Sequence, residues 1–149
     1  MKIVEFDIKK LKKITRENCF ICQNKINTEN IVFENKNFIA FLDYYPSTLG
    51  YTLLAPKKHY EDISEFSKKE FDEMQNILFR IVKSIKKNLK PDRIYLLNTG
   101  EIVTHFHIHI IPIYYETHTN FVDVLLRKRL LKLTKMERKK LSLKIKKSI

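Results

Sequence analysis

The pattern of apolar and polar positions separates one long helix from a set of strands. Ser67-Lys68-Lys69-Glu70 reads as a capping box, in which the side chains of Ser67 and Glu70 satisfy backbone donors at a helix start. Phe71, Met74, Ile77, Leu78, Ile81, Ile85 and Leu89 then recur every three or four residues, which marks one buried stripe. Lys83, Lys86 and Lys87 fall on the opposite face, and Pro91 stops the helix. Before it, residues 31–33 and 38–43 are β-like runs joined by the polar turn Glu34-Asn35-Lys36-Asn37. Pro46 and Gly50 punctuate the loop to a third strand over 51–55, which Pro56 ends. A fourth strand over 93–98 and a fifth over 104–113 lie on either side of Gly100. Residues 7–15 are expected to form a short helix leading into Cys19-Phe20-Ile21-Cys22. Leu126, Leu130, Leu133 and Met136 share one helical face, followed by Leu141, Ile145 and Ile149, so one or two amphipathic helices are expected at the end. The order predicts an α+β fold: an antiparallel sheet of about five strands, a long helix after strand 3 and a basic C-terminal helical tail.

Composition narrows this picture. A chain of 149 residues, 44% hydrophobic, can build one domain with a core and is not of the disordered class. The absence of any run of eighteen apolar residues excludes a membrane-spanning helix. The opening stretch MKIVEFDIKKLKK mixes charges and lacks the apolar core and cleavage site of a secretory signal, so a cytoplasmic protein is expected. Of the net charge of +12, ten units come from residues 127–147, where eleven Lys and Arg face the single acid Glu137. The charge therefore belongs to a tail, and the chain divides into a domain over 1–125 and a basic amphipathic helical extension over 126–149. A Lys/Ile/Asn-rich composition and a functional basic tail explain that run equally well.

The chemistry concentrates in His105-Phe106-His107-Ile108-His109-Ile110-Ile111-Pro112. Side chains alternate across a strand, so the three histidines share one face while Phe106, Ile108 and Ile110 anchor the other in the core. Three imidazoles buried merely as packing would each need a partner. Two chemistries use such a row. Alternate histidines can converge on one metal ion. Alternatively, a neutral imidazole can attack phosphorus, provided one partner fixes its tautomer and cationic donors neutralise the phosphate oxygens. Cys19-x-x-Cys22 supplies half of a zinc site, and His59, His105, His107 and His109 offer nitrogen ligands. Lys57 and Lys58 suit a polar rim beside an anion or, equally, two solvated lysines. Gly100 precedes the histidine strand where backbone could approach a phosphate, whereas a turn alone accounts for Gly50.

Residues 105–111 match at every position the His-φ-His-φ-His-φ-φ signature (φ apolar) of the histidine triad (HIT) superfamily, and the chain resembles that family beyond the triad. Cys19–Cys22, 31–35, 41–46, Gly50 through Pro56-Lys57-Lys58-His59 and Asn98 follow in the family's order, so the resemblance spans roughly residues 17–115. It implies a HIT-like catalytic domain over 1–125, with His107 as the nucleophile of a nucleotidyl-histidine intermediate and His109 on the phosphate or bridging oxygen. Asp43 would hold the ribose hydroxyls, Phe20, Ile21, Phe41 and Leu42 would line the base pocket, and Asn98 would contact phosphate or ribose. Family members that carry Cys-x-x-Cys bind structural zinc. The equivalent ligands here would be Cys19, Cys22, His59 and His105, with one zinc per chain and no open coordination position. The family's homodimers make a homodimer the expected assembly.

The chain departs from the family pattern between Asn98 and His105. Glu101 stands where a glutamine is expected and Ile102 where a hydroxyl would assist the leaving group. A carboxylate there repels a polyphosphate, which favours a less charged adduct such as a phosphoramidate. The expected activity is a nucleotide hydrolase or transferase. It would cleave at the α-phosphate of a purine nucleoside phosphoramidate or dinucleoside polyphosphate and release a mononucleotide. Two other readings compete with it. One is a nucleotide-binding or nucleic-acid-associated module contacting phosphates through the basic tail. The other is a catalytic metal held by the three histidines.

Overall fold

The helix forms as its signals predict. In the computed structural model, which describes residues 2–5, 12–116, 121–127 and 129–149, Ser67 caps helix α1 (Lys68–Leu89). The Glu70 amide donates to Ser67 Oγ at 3.3 Å and the Ser67 amide donates to Glu70 Oε2 at 2.9 Å, closing the box in both directions. Lys90 ends the helix in a left-handed conformation (φ 53°) ahead of Pro91, and the Lys86 ammonium caps the carbonyls of Pro91 and Asp92. Met74, Ile77, Leu78, Ile81 and Ile85 are buried, with Phe71 and Leu89 packed at the margin.

That stripe lies on an antiparallel five-stranded sheet formed by β2 (Ile31–Glu34), β3 (Phe38–Leu42), β4 (Thr52–Pro56), β5 (Arg93–Leu97) and β6 (Ile108–Ile113). The order across the sheet is β2-β3-β4-β6-β5, so the histidine-bearing strand sits inside it and is paired on both sides. Alternation splits the core in two. Phe38, Ala40, Leu42, Leu54, Ile108 and Ile110 pack beneath α1, while Ile39, Phe41, Leu53, Ala55, Ile111 and Ile113 pack on the other face with Cys19, Ile21 and Ile26. Gly50 turns the chain into β4 with φ 82°, a region that L side chains rarely adopt.

The structure differs from expectation in three places. The fifth strand begins at Ile108 rather than Thr104, because its partner β4 runs out at Pro56, which has no N–H to extend the ladder. Other bonds hold the chain upstream: the Phe106 amide donates to the Tyr60 carbonyl (2.6 Å), and the Thr104 amide donates to the Ile14 carbonyl (3.0 Å). The helix expected over 7–15 falls mostly outside the described residues. Its last part is not helical, and Ile14 bridges Val103. In the tail, helix α3 (Lys135–Lys146) forms as expected behind a Thr134/Glu137 capping box and buries Leu141 and Ile145 in the α1-side core. Leu130 instead lies in a strand, β7 (Arg129–Lys132), which pairs antiparallel with β1 (Lys2–Glu5) in a separate two-stranded sheet. Periodicity over a few residues does not separate a short strand from a helix turn when a distant partner strand supplies the hydrogen bonds.

Ile81 is fully buried between α1 and the sheet. Ile81→Ala is expected to lower the unfolding free energy by about 2–5 kcal/mol in urea titrations. Lys83→Ala on the exposed face should change it by less than about 0.5 kcal/mol.

Candidate active site

Three segments meet at the start of the histidine run: the Cys19–Cys22 turn, the chain after β4 and residue 105. Cys19 Sγ lies 3.3 Å from His105 Nδ1, and Cys22 Sγ lies 3.2 Å from His59 Nδ1 and 3.4 Å from His105 Nδ1. The four potential ligand atoms are all within 4.8 Å of one another. His105 Nε2–H donates to the Pro56 carbonyl at 2.8 Å, which leaves Nδ1 with its lone pair aimed at the sulfurs. Burial lowers the His105 pKa to about 4, keeping the ring neutral as a ligand requires. On its far side, His59 Nε2 faces the Glu61 carboxylate at 3.5 Å. Two thiols and two imidazoles at these separations make a four-ligand donor set compatible with a zinc site.

The other two histidines continue along the same face. His107 Nδ1–H donates to the His105 carbonyl at 2.7 Å, so its Nε2 carries the lone pair. Asn98 Nδ2 donates to the His107 carbonyl at 2.7 Å, replacing a ladder bond just beyond the end of β5. The His107 and His109 rings lie 4.5 Å apart between centroids and are only 5% and 8% exposed. Burial lowers the pKa of both, and that of His109 reaches about 3, with the neighbouring His107 adding to the effect. Both rings are therefore neutral at neutral pH. His109 Nδ1 lies 3.0 Å from the Tyr51 hydroxyl. The same hydroxyl oxygen accepts from Arg127 Nη2 (3.4 Å), and its own proton can be given to His109 Nδ1, an arrangement that would put the His109 proton on Nε2. His107 thus offers a lone pair at Nε2, and with the Tyr51 proton on its Nδ1 His109 would offer a donor at Nε2.

Beside them the Asp43 carboxylate is buried in a bidentate pair. Arg127 Nη2 donates to Oδ2 at 2.7 Å and Nη1 to Oδ1 at 3.1 Å, while the Tyr45 amide donates to Oδ1 at 2.6 Å. Burial alone would raise the Asp43 pKa. The Arg127 charge and these hydrogen bonds outweigh it and hold the carboxyl below its ordinary value. Phe20, Phe41 and Tyr44 form an aromatic corner with centroids 6.1–6.4 Å apart, and Ile21 is buried on the same face. Leu42, expected with them, points instead into the α1-side core, because it follows Phe41 on the same strand. Lys57 is paired with Glu34 at 2.7 Å and Lys58 sits over the Tyr60 ring. Glu101 is exposed, and the Ile102 carbonyl accepts from the Ile14 amide (2.7 Å), which ties the altered loop to the segment before Cys19.

A model of the HIT domain matches residues 24–116, which include Phe41, Asp43, His59, Asn98 and all three triad histidines. The chain belongs to the HIT family. An uncharacterised HIT-like protein of Mycoplasma genitalium is 38% identical over 119 residues, 74% of this chain and 83% of the relative. Among solved structures, a hypothetical histidine triad nucleotide-binding protein from Sulfolobus tokodaii superposes with a TM-score of 0.71 at 29% identity, covering 87% of this chain and 91% of the other. A zinc-bound histidine triad family protein from Mycobacterium smegmatis shares the fold with a TM-score of 0.68 at 20% identity, covering 87% of this chain and 89% of the other.

Sequence reasoning missed two site residues. Tyr51 was visible only as the apolar start of a strand. Arg127 was one charge in a basic run, and nothing local marks the left-handed φ of 51° that turns it back toward Asp43. The pair has a pH signature. Because the Asp43 pKa is lowered on folding, its contribution to stability is present above the unfolded value of about 3.9 and is lost as pH falls through the folded value. In urea titrations between about pH 7 and pH 3, the stability advantage of wild type over Asp43→Asn should therefore be largest at neutral pH and shrink below about pH 4.

Proposed function

We propose that the protein is a nucleotide hydrolase or transferase that cleaves at the α-phosphate of a purine nucleoside phosphoramidate or dinucleoside polyphosphate. The observation that carries this reading is the tautomer of His107: its Nδ1–H is committed to the His105 carbonyl, leaving Nε2 as a neutral nucleophile. In the first step the Nε2 lone pair attacks the α-phosphorus. A P–N bond forms, the bond to the leaving group breaks, and the leaving group departs with the electron pair. The Nε2–H of His109 is the donor for a non-bridging oxygen or for the leaving atom itself, oxygen in a polyphosphate and nitrogen in a phosphoramidate, so that an amine leaves with its proton, and Tyr51 holds His109 in that role. Water then attacks phosphorus and returns a proton to His109 Nε2, the P–N bond breaks with its electron pair going back to His107 Nε2, and the mononucleotide leaves with both histidines regenerated. With a different acceptor in place of water, the same intermediate makes the enzyme a transferase.

In this reading the ribose hydroxyls bind Asp43, and the base packs against the corner of Phe20, Phe41 and Ile21. Asn98 acts by fixing the backbone of the nucleophile through its bond to the His107 carbonyl. Cys19, Cys22, His59 and His105 would hold one structural zinc per chain, with the Pro56 carbonyl orienting His105 from outside the ligand set. Bound there, the ion supplies a cross-link between three segments and takes no part in the chemistry. The proposed setting is a homodimer in the cytoplasm. The polynucleotide alternative is the weaker reading, since two arginines of the basic tail, Arg127 and Arg138, are spent on contacts within the chain.

The intermediate is testable by incubation with α-phosphate-labelled substrate and quenching in base. Wild type should carry one base-stable label, whereas His107→Ala should carry none and lose roughly 1,000-fold or more in kcat. Persistence of the same labelled adduct in His107→Ala would sink the assignment. Metal analysis should find one zinc per chain that survives His107→Ala but not Cys19→Ala. Activity abolished by chelation and restored by assorted divalent ions would instead indicate metal-assisted hydrolysis.

A further inference from the structure

The histidine face is covered by the chain's own C-terminal segment. Helix α2 (Phe121–Leu125) lays Val124, only 4% exposed, and Leu125 onto the same apolar cluster as Phe41, Tyr51 and Leu53. Two residues on, the left-handed turn at Arg127 drives its guanidinium into the site, where the side chain is 15% exposed. A non-glycine residue in that backbone region is uncommon and persists when surrounding contacts hold it. Here the contacts are plain: both Asp43 oxygens, the Tyr45 carbonyl (2.9 Å), the Tyr51 hydroxyl and the face of the Tyr51 ring (5.0 Å from its centroid). Neighbouring bonds fix the same junction. The Leu131 amide donates to the Pro46 carbonyl (2.8 Å), and Arg138 donates to the Asp43 and Tyr44 carbonyls, both at 2.9 Å.

The placement creates a conflict for any nucleotide. Both Asp43 oxygens, which a ribose diol would use, already accept the Arg127 fork, and Oδ1 accepts the Tyr45 amide as well. A diol that takes the carboxylate leaves a guanidinium in a buried site without its anion, which is a severe penalty. A phosphate removes it. The guanidinium is one hydrogen bond from Tyr51, which is one hydrogen bond from His109, so a phosphate at the triad lies beside the displaced group. Planar Arg donors match phosphate oxygens as well as carboxylate oxygens. Glu101 and Ile102 offer no cation in the loop before the triad, so the extension supplies one.

We infer that Arg127 is a specificity-determining residue that exchanges Asp43 for the α-phosphate of the substrate, so that the site accepts a ribose diol only together with a 5′-phosphate. This rests on the nucleotide reading given above. Arg127 touches substrate after the exchange and guards the ribose subsite before it. The ligand class selected is a ribonucleoside 5′-phosphate or its ester or amide, against the bare nucleoside.

The test is calorimetric titration of the zinc-loaded full chain with adenosine and adenosine 5′-monophosphate, and with the guanosine pair. Wild type should prefer the monophosphate strongly. Arg127→Gln removes the guard and the phosphate donor together, so nucleoside binding should tighten by roughly tenfold while monophosphate binding weakens by roughly tenfold. These opposite signs separate the exchange from simple loss of structure, which weakens both ligands. If Arg127→Gln does not fold, Arg127→Lys keeps the charge but not the fork. It should tighten the nucleoside severalfold and leave the monophosphate near its wild-type affinity. An unchanged preference in Arg127→Gln, or an unchanged nucleoside affinity in Arg127→Lys, overturns the inference while leaving the nucleotide reading intact. Wild type that binds neither the nucleosides nor the monophosphates overturns both.

Discussion

The arrangement depends on one constraint, the two-faced alternation of an extended chain through residues 105–113. Phe106, Ile108 and Ile110 are buried against α1 and its neighbours, so His107 and His109 have to face the other way. A slip of one residue would put imidazoles into a hydrocarbon core and isoleucines into the polar site, which makes the register strongly determined. The central position of β6 adds to this, because pairing to β4 and β5 on both sides fixes the backbone from which His109 projects. The geometry of the candidate site is therefore a consequence of core packing on the opposite face.

The alternation outlasts the sheet, which ends just before the residues of greatest chemical interest. Beyond Leu54↔Ile108 no ladder bond links β4 to the histidine segment, and polar side chains take over its role. The His105 imidazole occupies the Pro56 carbonyl, His107 occupies the His105 carbonyl, and Asn98 occupies the His107 carbonyl. All three bonds satisfy backbone acceptors that the sheet has abandoned, and the two made by imidazoles also fix which ring nitrogen of His105 and of His107 is free. His105 exposes Nδ1 to the cysteines while His107 exposes Nε2, so the difference between two similar side chains comes from local hydrogen bonding.

Features that local rules determine were legible in the sequence. The capping box at Ser67 and Glu70, the stripe from Met74 to Ile85 and the alternation at 105–110 each follow from spacing alone, and the structure shows all three. The grouping of Cys19, Cys22, His59 and His105 came from resemblance, and the structure brings those four residues together. Long-range pairing was not legible. The segment at 129–132 is a strand because β1, more than a hundred residues away in sequence, lies alongside it. The resemblance grouped Leu42 with Phe41 in the base pocket, though neighbours on a strand face opposite ways. The Arg127–Asp43 pair joins positions 84 apart, and its turn has no sequence marker of the kind that glycine gives at position 50.

The basic tail changes meaning once its contacts are known. A run of eleven cations invites a reading in terms of polyanions outside the protein, and charge counting alone supports it. Yet Arg138 is fastened to two carbonyls of the loop that carries Asp43, and Arg127 neutralises Asp43 itself. An unpaired carboxylate this deeply buried would be protonated or destabilising, so the tail is part of what keeps the proposed ribose ligand ionised. Leu141 and Ile145 of α3 lie in the same core as Ile81 and Ile85, which ties the position of those arginines to the packing of α1. The extension thus contributes to the site on two levels, by packing that places it and by charge that completes it.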